Sequence, residues 1–369
     1  MRRVGFLFVF CAVFGSLLQA QDVTTTAVPF LLISPNSRAS AMGEGGVALG
    51  DDAWAIFWNP AGYAFQEGSE ISMSHAKWLP ALGLSDLWIA HVVYKQPVEA
   101  LNGVLAASLT YENLGEFTRT LNDPTPVGTF KGYELAVTAG YSTKIHTTLG
   151  IGVNARMIYS HLADKGTGEE AGRGTATGFS FDVGLLYRPA HVYIPFTRLD
   201  LKDNLSLGLN ISNIGPNIYY VDKDQADPLP QNLRFGVAYR IINDDYNSLS
   251  ASVEVNRLLV HRDTTEKKAD EFYEALYTTW TDGSFSEQLR KFTTSIGIEY
   301  WYGNPKLIAL RAGYFYEDPR AGNRKFYTFG AGIRYDIYGF DFSYISTTEE
   351  QHPLGETLRF TLSIGWGGK

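Results

Sequence analysis

Large apolar or aromatic side chains hold every second position over long stretches of this chain. In "FYTFGAGIRYDIYGFDFSYIS", from residue 326, Tyr327, Phe329, Ala331, Ile333, Tyr335 and Ile337 alternate with Thr328, Gly330, Gly332, Arg334 and Asp336. After a short turn at Tyr338-Gly339 the pattern resumes, with Phe340, Phe342 and Tyr344 set against Asp341 and Ser343. "LSLGLNIS" puts Leu205, Leu207, Leu209 and Ile211 on one face and Ser206, Gly208, Asn210 and Ser212 on the other. "LRFGVAYR" (233–240) and "TLRFTLSIGW" (357–366) behave alike. A helix would scatter both sets around its cylinder, so the period of two predicts strands with one greasy and one polar or small face.

Such segments number about fourteen, near 69–78, 85–95, 103–112, 131–142, 148–160, 178–188, 203–213, 231–242, 247–258, 291–302, 305–317, 326–337, 339–347 and 356–366. Most approach the roughly 9–11 residues that a tilted strand needs to cross a bilayer. Their connections alternate in length. Tight links such as "STKIHT", "NDDY", "YGNP" and "YG" fall on one side, and long polar loops near 113–130, 161–177, 214–230 and 259–290 fall on the other. Short periplasmic turns opposite long external loops are the signature of a bacterial outer-membrane barrel.

A soluble β-sandwich also alternates, but its wet face is dominated by charge. Here the polar face is crowded with glycine and with ions of both signs: Glu134, Arg156, Asp182, Arg234, Glu254, Glu299, Arg311, Arg334, Asp336 and Arg359. Balanced signs turned inward predict a polar interior in which ions pair with one another. Tyr111, Tyr141, Tyr159, Tyr187, Tyr302, Tyr316 and Trp366 gather at strand ends, where interfacial girdles sit. Closure satisfies the backbone of such strands in lipid. The expected fold is therefore an all-β, closed, transmembrane antiparallel β-barrel of about fourteen strands.

Composition sharpens this picture at the N-terminus. Arg2 and Arg3 precede the apolar "VGFLFVFCAVFGSLL", and "LQA" ends at a small residue, Ala20, so residues 1–20 read as an exported leader. No cysteine follows Ala20, which argues against a lipoprotein anchor. Cys11, the single cysteine, lies within the leader, leaving no disulfide scaffold, thiolate metal site or cysteine nucleophile. Without the leader, 29 basic and 39 acidic residues remain, and an acidic chain without a basic tract does not suit nucleic acid.

One region breaks the alternation. Residues 34–67, "SPNSRASAMGEGGVALGDDAWAIFWNPAGYAFQ" and one further residue, are rich in small side chains. Ser34-Pro35 can open a short helix whose slim face is Ala39, Ala41, Met42 and Gly45. A segment this compact, ahead of the first strand, is expected to sit inside the barrel as a plug. The predicted organisation is a leader over 1–20, an N-terminal plug or hatch segment over 21–67, and an outer-membrane barrel over 68–369.

The same region carries a resemblance. "SPNSRASAMG", "GDDAWAIFWNPAG" and "WLPALGLSD" (78–86) together resemble the signature of the PorV/PorQ family of outer-membrane proteins, which is related to the FadL fatty-acid transporters. "NPAG", with Asn59, Pro60 and Gly62, is shared with the transporter branch. Elsewhere the likeness is one of architecture, and the chain departs by running past Trp366 through "GGK", where many such barrels end on an aromatic residue. The resemblance implies a non-enzymatic component of the type IX secretion system. Such a protein accepts cargo from a very large outer-membrane translocon through the cargo's C-terminal signal domain, then passes it to the surface attachment complex.

No chemistry stands out from the residues. Histidines at 75, 91, 146, 161, 191, 261 and 352 show no metal-ligand spacing. "GTGEEAGRGTATG" (166–178) lacks the Lys-Ser/Thr end of a phosphate loop, no strand precedes "GEGGVA" (43–48), and no GxSxG elbow occurs. Catalytic, metal and cofactor sites are accordingly expected to be none. Two places suit binding. Trp78, Leu79, Pro80, Leu82 and Leu84 fall at the first external turn, where exposed apolar groups call for lipid or a partner as cover. Phe272, Leu276 and Trp280, within "TEKKADEFYEALYTTW", recur at helical spacing and predict a short amphipathic helix on the rim. The alternatives are passive uptake of hydrophobic small molecules, as the transporter branch implies, and a purely structural barrel.

Overall fold

The computed structural model describes residues 25–83, 86–120, 125–164, 174–193, 200–221, 223–262, 268–281, 283–349 and 352–368. The leader and Leu84 lie outside the described residues. Fourteen antiparallel strands close into one barrel, β1 pairing with both β2 and β14. They are β1 (Ser69–Lys77), β2 (Trp88–Val98), β3 (Gly103–Thr120), β4 (Pro126–His146), β5 (Leu149–His161), β6 (Thr175–Tyr187) and β7 (Leu205–Ile214). There follow β8 (Asn232–Asn243), β9 (Asn247–Leu258), β10 (Phe292–Tyr302), β11 (Ile308–Tyr316), β12 (Lys325–Tyr335), β13 (Tyr338–Thr347) and β14 (Leu358–Trp366). Every neighbour in the sheet is a neighbour in sequence, apart from the closing pair.

Burial is inverted relative to a soluble domain. Phe179, Phe181, Ile298, Leu310, Phe329, Phe360 and Leu362 point outward and are exposed, whereas Asp182, Glu254, Glu299, Arg311, Asp341 and Arg359 are buried. Apolar surface outside and charge inside is stable only when the outside meets hydrocarbon. Among the described residues no helix is long and apolar enough to cross a membrane, so the strands make the crossing. Trp88, Tyr111, Tyr133 and Tyr159 pack ring against ring on consecutive strands β2 to β5 at centroid distances of 5.3, 5.9 and 6.0 Å. On β4, Tyr141 lies eight residues from Tyr133, about 27 Å at roughly 3.4 Å per residue. Projected through a strand tilt of roughly 35–45°, this is about 20 Å along the membrane normal, of the order of the ~25 Å apolar band of such barrels.

Four sequence expectations change. Residues 113–130 are not mainly loop: β3 and β4 pair with each other from Gly103↔Thr143 out to Thr120↔Pro126 and project well beyond the Tyr111/Tyr133 girdle. Thr118↔Thr129 and Phe117↔Phe130 continue the ladder through a stretch that looked polar because it stands clear of lipid. The tight turn between β12 and β13 falls one pair earlier than Tyr338-Gly339. Tyr335 pairs with Tyr338, leaving Asp336 and Ile337 as the loop, with Asp336 at φ 52°. A two-residue hairpin requires that left-handed geometry, which Asp tolerates. Asp336 is exposed there rather than luminal. The link from β6 to β7, residues 188–204, is long although it lies on the side of the tight turns.

Candidate functional site

Residues 27–66 run along the inward faces of the strands, and nearly all of 34–63 are buried. The segment holds only short helical pieces, α1 (Ser37–Ser40), α2 (Ala55–Trp58) and 3-10 turns at Pro29–Leu32 and Pro60–Phe65, joined by irregular chain. α1 starts two residues beyond Pro35 and docks on β14: Ser37 N donates to Thr361 Oγ1 at 2.9 Å, and Ser37 Oγ donates to Arg359 O at 2.9 Å. Ser74 of β1 donates to Pro35 O. Irregular backbone inside a barrel must find partners on the wall or within the segment itself, because no regular ladder supplies them.

Glycines on the polar face make that contact possible. A Cβ at Gly152 would fall 2.3 Å from Pro60 C, and one at Gly184 would fall 2.1 Å from Asn59 Oδ1. At Gly208 it would meet Val47 O at 2.1 Å, and at Gly236 Val47 Cγ1 at 2.4 Å. At Gly297 it would meet Met42 Cβ at 2.6 Å, and at Gly313 Gly43 N at 2.1 Å. These six form three directly opposed pairs, Gly152↔Gly184, Gly208↔Gly236 and Gly297↔Gly313. Each pair is a flat patch two strands wide on which the segment's backbone rests. The sequence displayed all six on the polar face, but only the closed barrel pairs them with Pro60, Asn59, Val47 and Met42.

Asn59 ties the segment to β6. Its Nδ2 donates to Val47 O and Leu185 O, both at 2.9 Å, while Oδ1 accepts from Ala61 N at 3.1 Å. Pro60 follows at the first position of a 3-10 turn, where its missing N–H costs nothing. Gly62 packs on Gly50, whose Cα would lie 2.6 Å from a Cβ placed at residue 62. Asn59, Pro60 and Gly62 therefore share one structural task.

The opposite side is held by charge. Arg38 forks onto Glu299 with two 2.7 Å hydrogen bonds and reaches Asp51 at 2.5 Å and Asp52 at 3.1 Å. Glu299 also accepts from Arg311 at 2.7 Å; Arg311 continues to Asp341 at 2.7 Å, and Asp341 to Arg334 at 2.8 Å. The chain of ions thus runs from the segment across β10, β11, β13 and β12. Asp51 and Asp52 share Arg38 unequally. Burial works against both charges, but Arg38 outweighs it at Asp51 and holds that carboxyl below its usual range. At Asp52 burial prevails, reinforced by the charge of Asp51, and its carboxyl is raised. A second buried pair, Arg156 with Asp182 at 2.7 Å, spans β5 and β6.

The residues expected at the loop-side rim do not form one surface. Trp78 and Leu79 are half-buried on a cluster of Phe315, Phe326, Ile345 and Leu354. Pro80 starts a 3-10 turn and is half-buried, whereas Leu82 is exposed. The long loop after β9 carries α3 (Phe272–Thr278) and α4 (Phe285–Arg290), each opened by a capping box, Glu271 with Glu274 and Ser284 with Glu287. α3 buries Ala275, and Thr279 just after it is buried too; Phe272 is half-buried and Leu276 and Trp280 are exposed. Trp280 lies under the Arg257 guanidinium, 4.1 Å from its ring centroid. Tyr273, Tyr277, Phe285 and Leu289 extend the exposed apolar area, and Phe285 is 79% exposed. That breadth was hidden in the sequence, because two helices joined by a turn contribute to it.

Between rim and segment lies a cavity of about 410 Å³, touched by Leu32, Glu44 and Trp58 from below and by Glu317 and Arg324 from the β11–β12 loop.

Closed topology, inverted burial and girdled strands place the protein among outer-membrane β-barrels. It is similar in structure to the toluene transporter TodX of Pseudomonas putida (TM-score 0.51, 15% identity, over 90% of this chain and 96% of that one). A TodX deltaS2S3 mutant, titled a monoaromatic hydrocarbon channel, gives a TM-score of 0.52 at 13% identity over 90% and 98% of the two chains. A FadL homologue of Pseudomonas aeruginosa gives 0.47 at 14% over 91% and 99%. At such identities the likeness shows the fold alone. No curated protein matches the sequence. The family model described as type IX secretion system protein PorV matches residues 16–265, well over half of the chain. The protein belongs to the PorV family and is an outer-membrane component of type IX secretion.

Proposed function

We propose that the protein acts as a non-enzymatic carrier. It would bind translocated cargo through the cargo's C-terminal signal domain, or bind the translocon, and hand cargo to the surface attachment complex. The observation that carries this reading is the exposed apolar face of α3 and α4 above the barrel wall. Tyr273, Leu276, Tyr277, Phe285 and Leu289 are all more than one-third exposed on the loop side. Aromatic and leucine groups presented together on a rim suit a protein partner, whose binding energy concentrates in such anchors. Residues 34–67 serve in this reading as a plug. They are fixed to the wall by the three glycine pairs, by Asn59 and by Arg38. Residues 1–20 serve as the export leader.

The test is capture from membranes by the detergent-extracted protein, together with a survey of the surface proteins lost when the gene is deleted. Capture of a very large barrel or of a cargo signal domain is expected, with at least a tenfold loss in the doubly substituted Leu276→Asp, Tyr277→Asp protein. Equal capture by both proteins removes the assignment to this face. An unchanged surface proteome in the deletion strain removes the secretion role. Passive transport of hydrophobic molecules, the competing reading, has the fold likeness to TodX behind it. The loop-end cavity, however, is lined by several charged side chains rather than by a greasy tunnel.

A further inference from the structure

Arg257 of β9 stands where the alternation calls for a side chain on the outer face of the wall. Val253 and Val255 precede it on that face, while Glu254 between them turns inward and accepts from Gly46 N at 2.7 Å. Its register partners, Leu233 of β8 and Phe292 of β10, belong to the same outer face. The pair Arg257↔Phe292 lies two residues further out than Thr294, which faces the girdle residue Tyr316. A guanidinium on the outer face is tolerated at that level, near the interface, and is costly deeper in hydrocarbon. Arg257 is nevertheless only 1% exposed. The loop after β9 returns to cover it, so α3 and α4 lean over the outer side of the rim.

The covering groups are the ends of the two helices. Arg257 Nη2 donates to Thr279 O at 2.6 Å and to Gln288 Oε1, and Nη1 donates to Gln288 O at 3.2 Å. Thr279 caps the C-terminus of α3, and Gln288 lies in the last turn of α4. Carbonyls at helix C-termini lack intrahelical donors, and a cation placed there satisfies both their hydrogen bonding and their partial charge. The planar guanidinium reaches both carbonyls at once, which a lysine ammonium on its single stem does less well. Its face lies 4.1 Å from the Trp280 centroid and 5.3 Å from that of Phe292, and the two rings are 6.1 Å apart. The cation thus also joins a ring of the loop to a ring of the wall. Helices of seven and six residues do not persist alone in water. One side chain touches the end of each helix and is itself rooted in the wall.

We propose that Arg257 is the positioning residue of the rim: it clamps α3 to α4 against the outer side of the wall and so presents Leu276, Tyr277, Phe285 and Leu289 as one face. The inference rests on the reading of that face as the partner-binding surface, and two measurements keep the two apart. The first is hydrogen–deuterium exchange of the full-length protein in detergent, which needs no partner. In Arg257→Met, amides of residues 272–290 should exchange at least tenfold faster, while those of β5 stay within twofold of wild type. A residue that only stabilised the barrel would move both sets together, and that result overturns the proposal. Arg257→Lys should fall between Arg257→Met and wild type; full protection in the lysine protein means that charge alone suffices and overturns the forked clamp. The second measurement is capture from membranes, expected to fall at least tenfold in Arg257→Met. Loosened helices with undiminished capture overturn the presenting role. If the wild-type protein captures no partner, the functional reading fails, and exchange still decides the clamp. Should Arg257→Met not fold, Gln288→Ala leaves the wall intact and should speed exchange of residues 285–290 at least threefold; unchanged exchange there overturns the proposal.

Discussion

The two sides of the barrel hold the N-terminal segment by different physics. Along β5 to β8 contact is made by removing side chains, so that Pro60, Asn59 and Val47 press on wall backbone at Gly152, Gly184, Gly208 and Gly236. Along β10 to β13 glycines at 297 and 313 share the work with a chain of ions that starts at Arg38. The first kind of contact is steric and local, and one methyl group spoils it. The second is electrostatic and distributed, so losing one ion strands its neighbours in a low-dielectric interior. Close approach thus sets position, and charge sets registration between segment and wall.

The strongest way to break the comparison is to fill the steric side. Gly152→Val or Gly184→Val forces atoms into backbone or into Asn59, and the cost exceeds the ~1–3 kcal/mol usual for overpacking because the segment has nowhere to move. Trypsin should then cleave within residues 34–67 of a barrel that still resists sodium dodecyl sulfate at room temperature. Gly365→Ala, where a Cβ meets only Ser69 O at 3.8 Å, should leave cleavage at the wild-type level. If both behave alike, the glycine pairs do not seat the segment.

On the ionic side, Arg38→Met leaves Asp51 and Asp52 without their shared cation and Glu299 with Arg311 alone. Removing one partner of a buried network costs about 3–5 kcal/mol, visible as a lower urea midpoint for unfolding from detergent. Asn59→Ala strands Val47 O and Leu185 O and should cost about 1–3 kcal/mol, less than Arg38→Met in the same assay.

A finer test uses pH. Burial raises the Glu44 carboxyl in the folded protein above its ordinary value of 4.5, so the folded state binds that proton more tightly than the unfolded state. Its contribution to stability is therefore lost as pH climbs above about 4.5. Glu44→Gln should remove part of the stability difference between pH 5 and pH 8 measured by urea midpoints, and an unchanged difference refutes the assignment. The smallest effect concerns the rim. Leu276→Asp should shift the midpoint by less than about 1 kcal/mol, because an exposed helix position contributes little to folding.

Much of the wall was legible before folding. Period-two alternation located all fourteen strands because one face had to be apolar for lipid along each crossing. The limits of that signal explain the errors. Alternation fades where β3 and β4 leave the membrane, so residues 113–130 read as loop although Phe117 and Phe130 still pair. The hairpin at Asp336-Ile337 was misplaced by one pair, because Ile337 and Tyr338 continue the apolar rhythm through the turn.

What the sequence alone determined is the class of wall: strand number, closure, which face meets lipid, and the small-residue composition of residues 34–67. Those properties follow from local periodicity and from the cost of exposing backbone or charge to hydrocarbon. Tertiary structure decided which glycines face each other and which ions meet Arg38. Such facts depend on the register and curvature of strands far apart in the chain, and no local pattern encodes them.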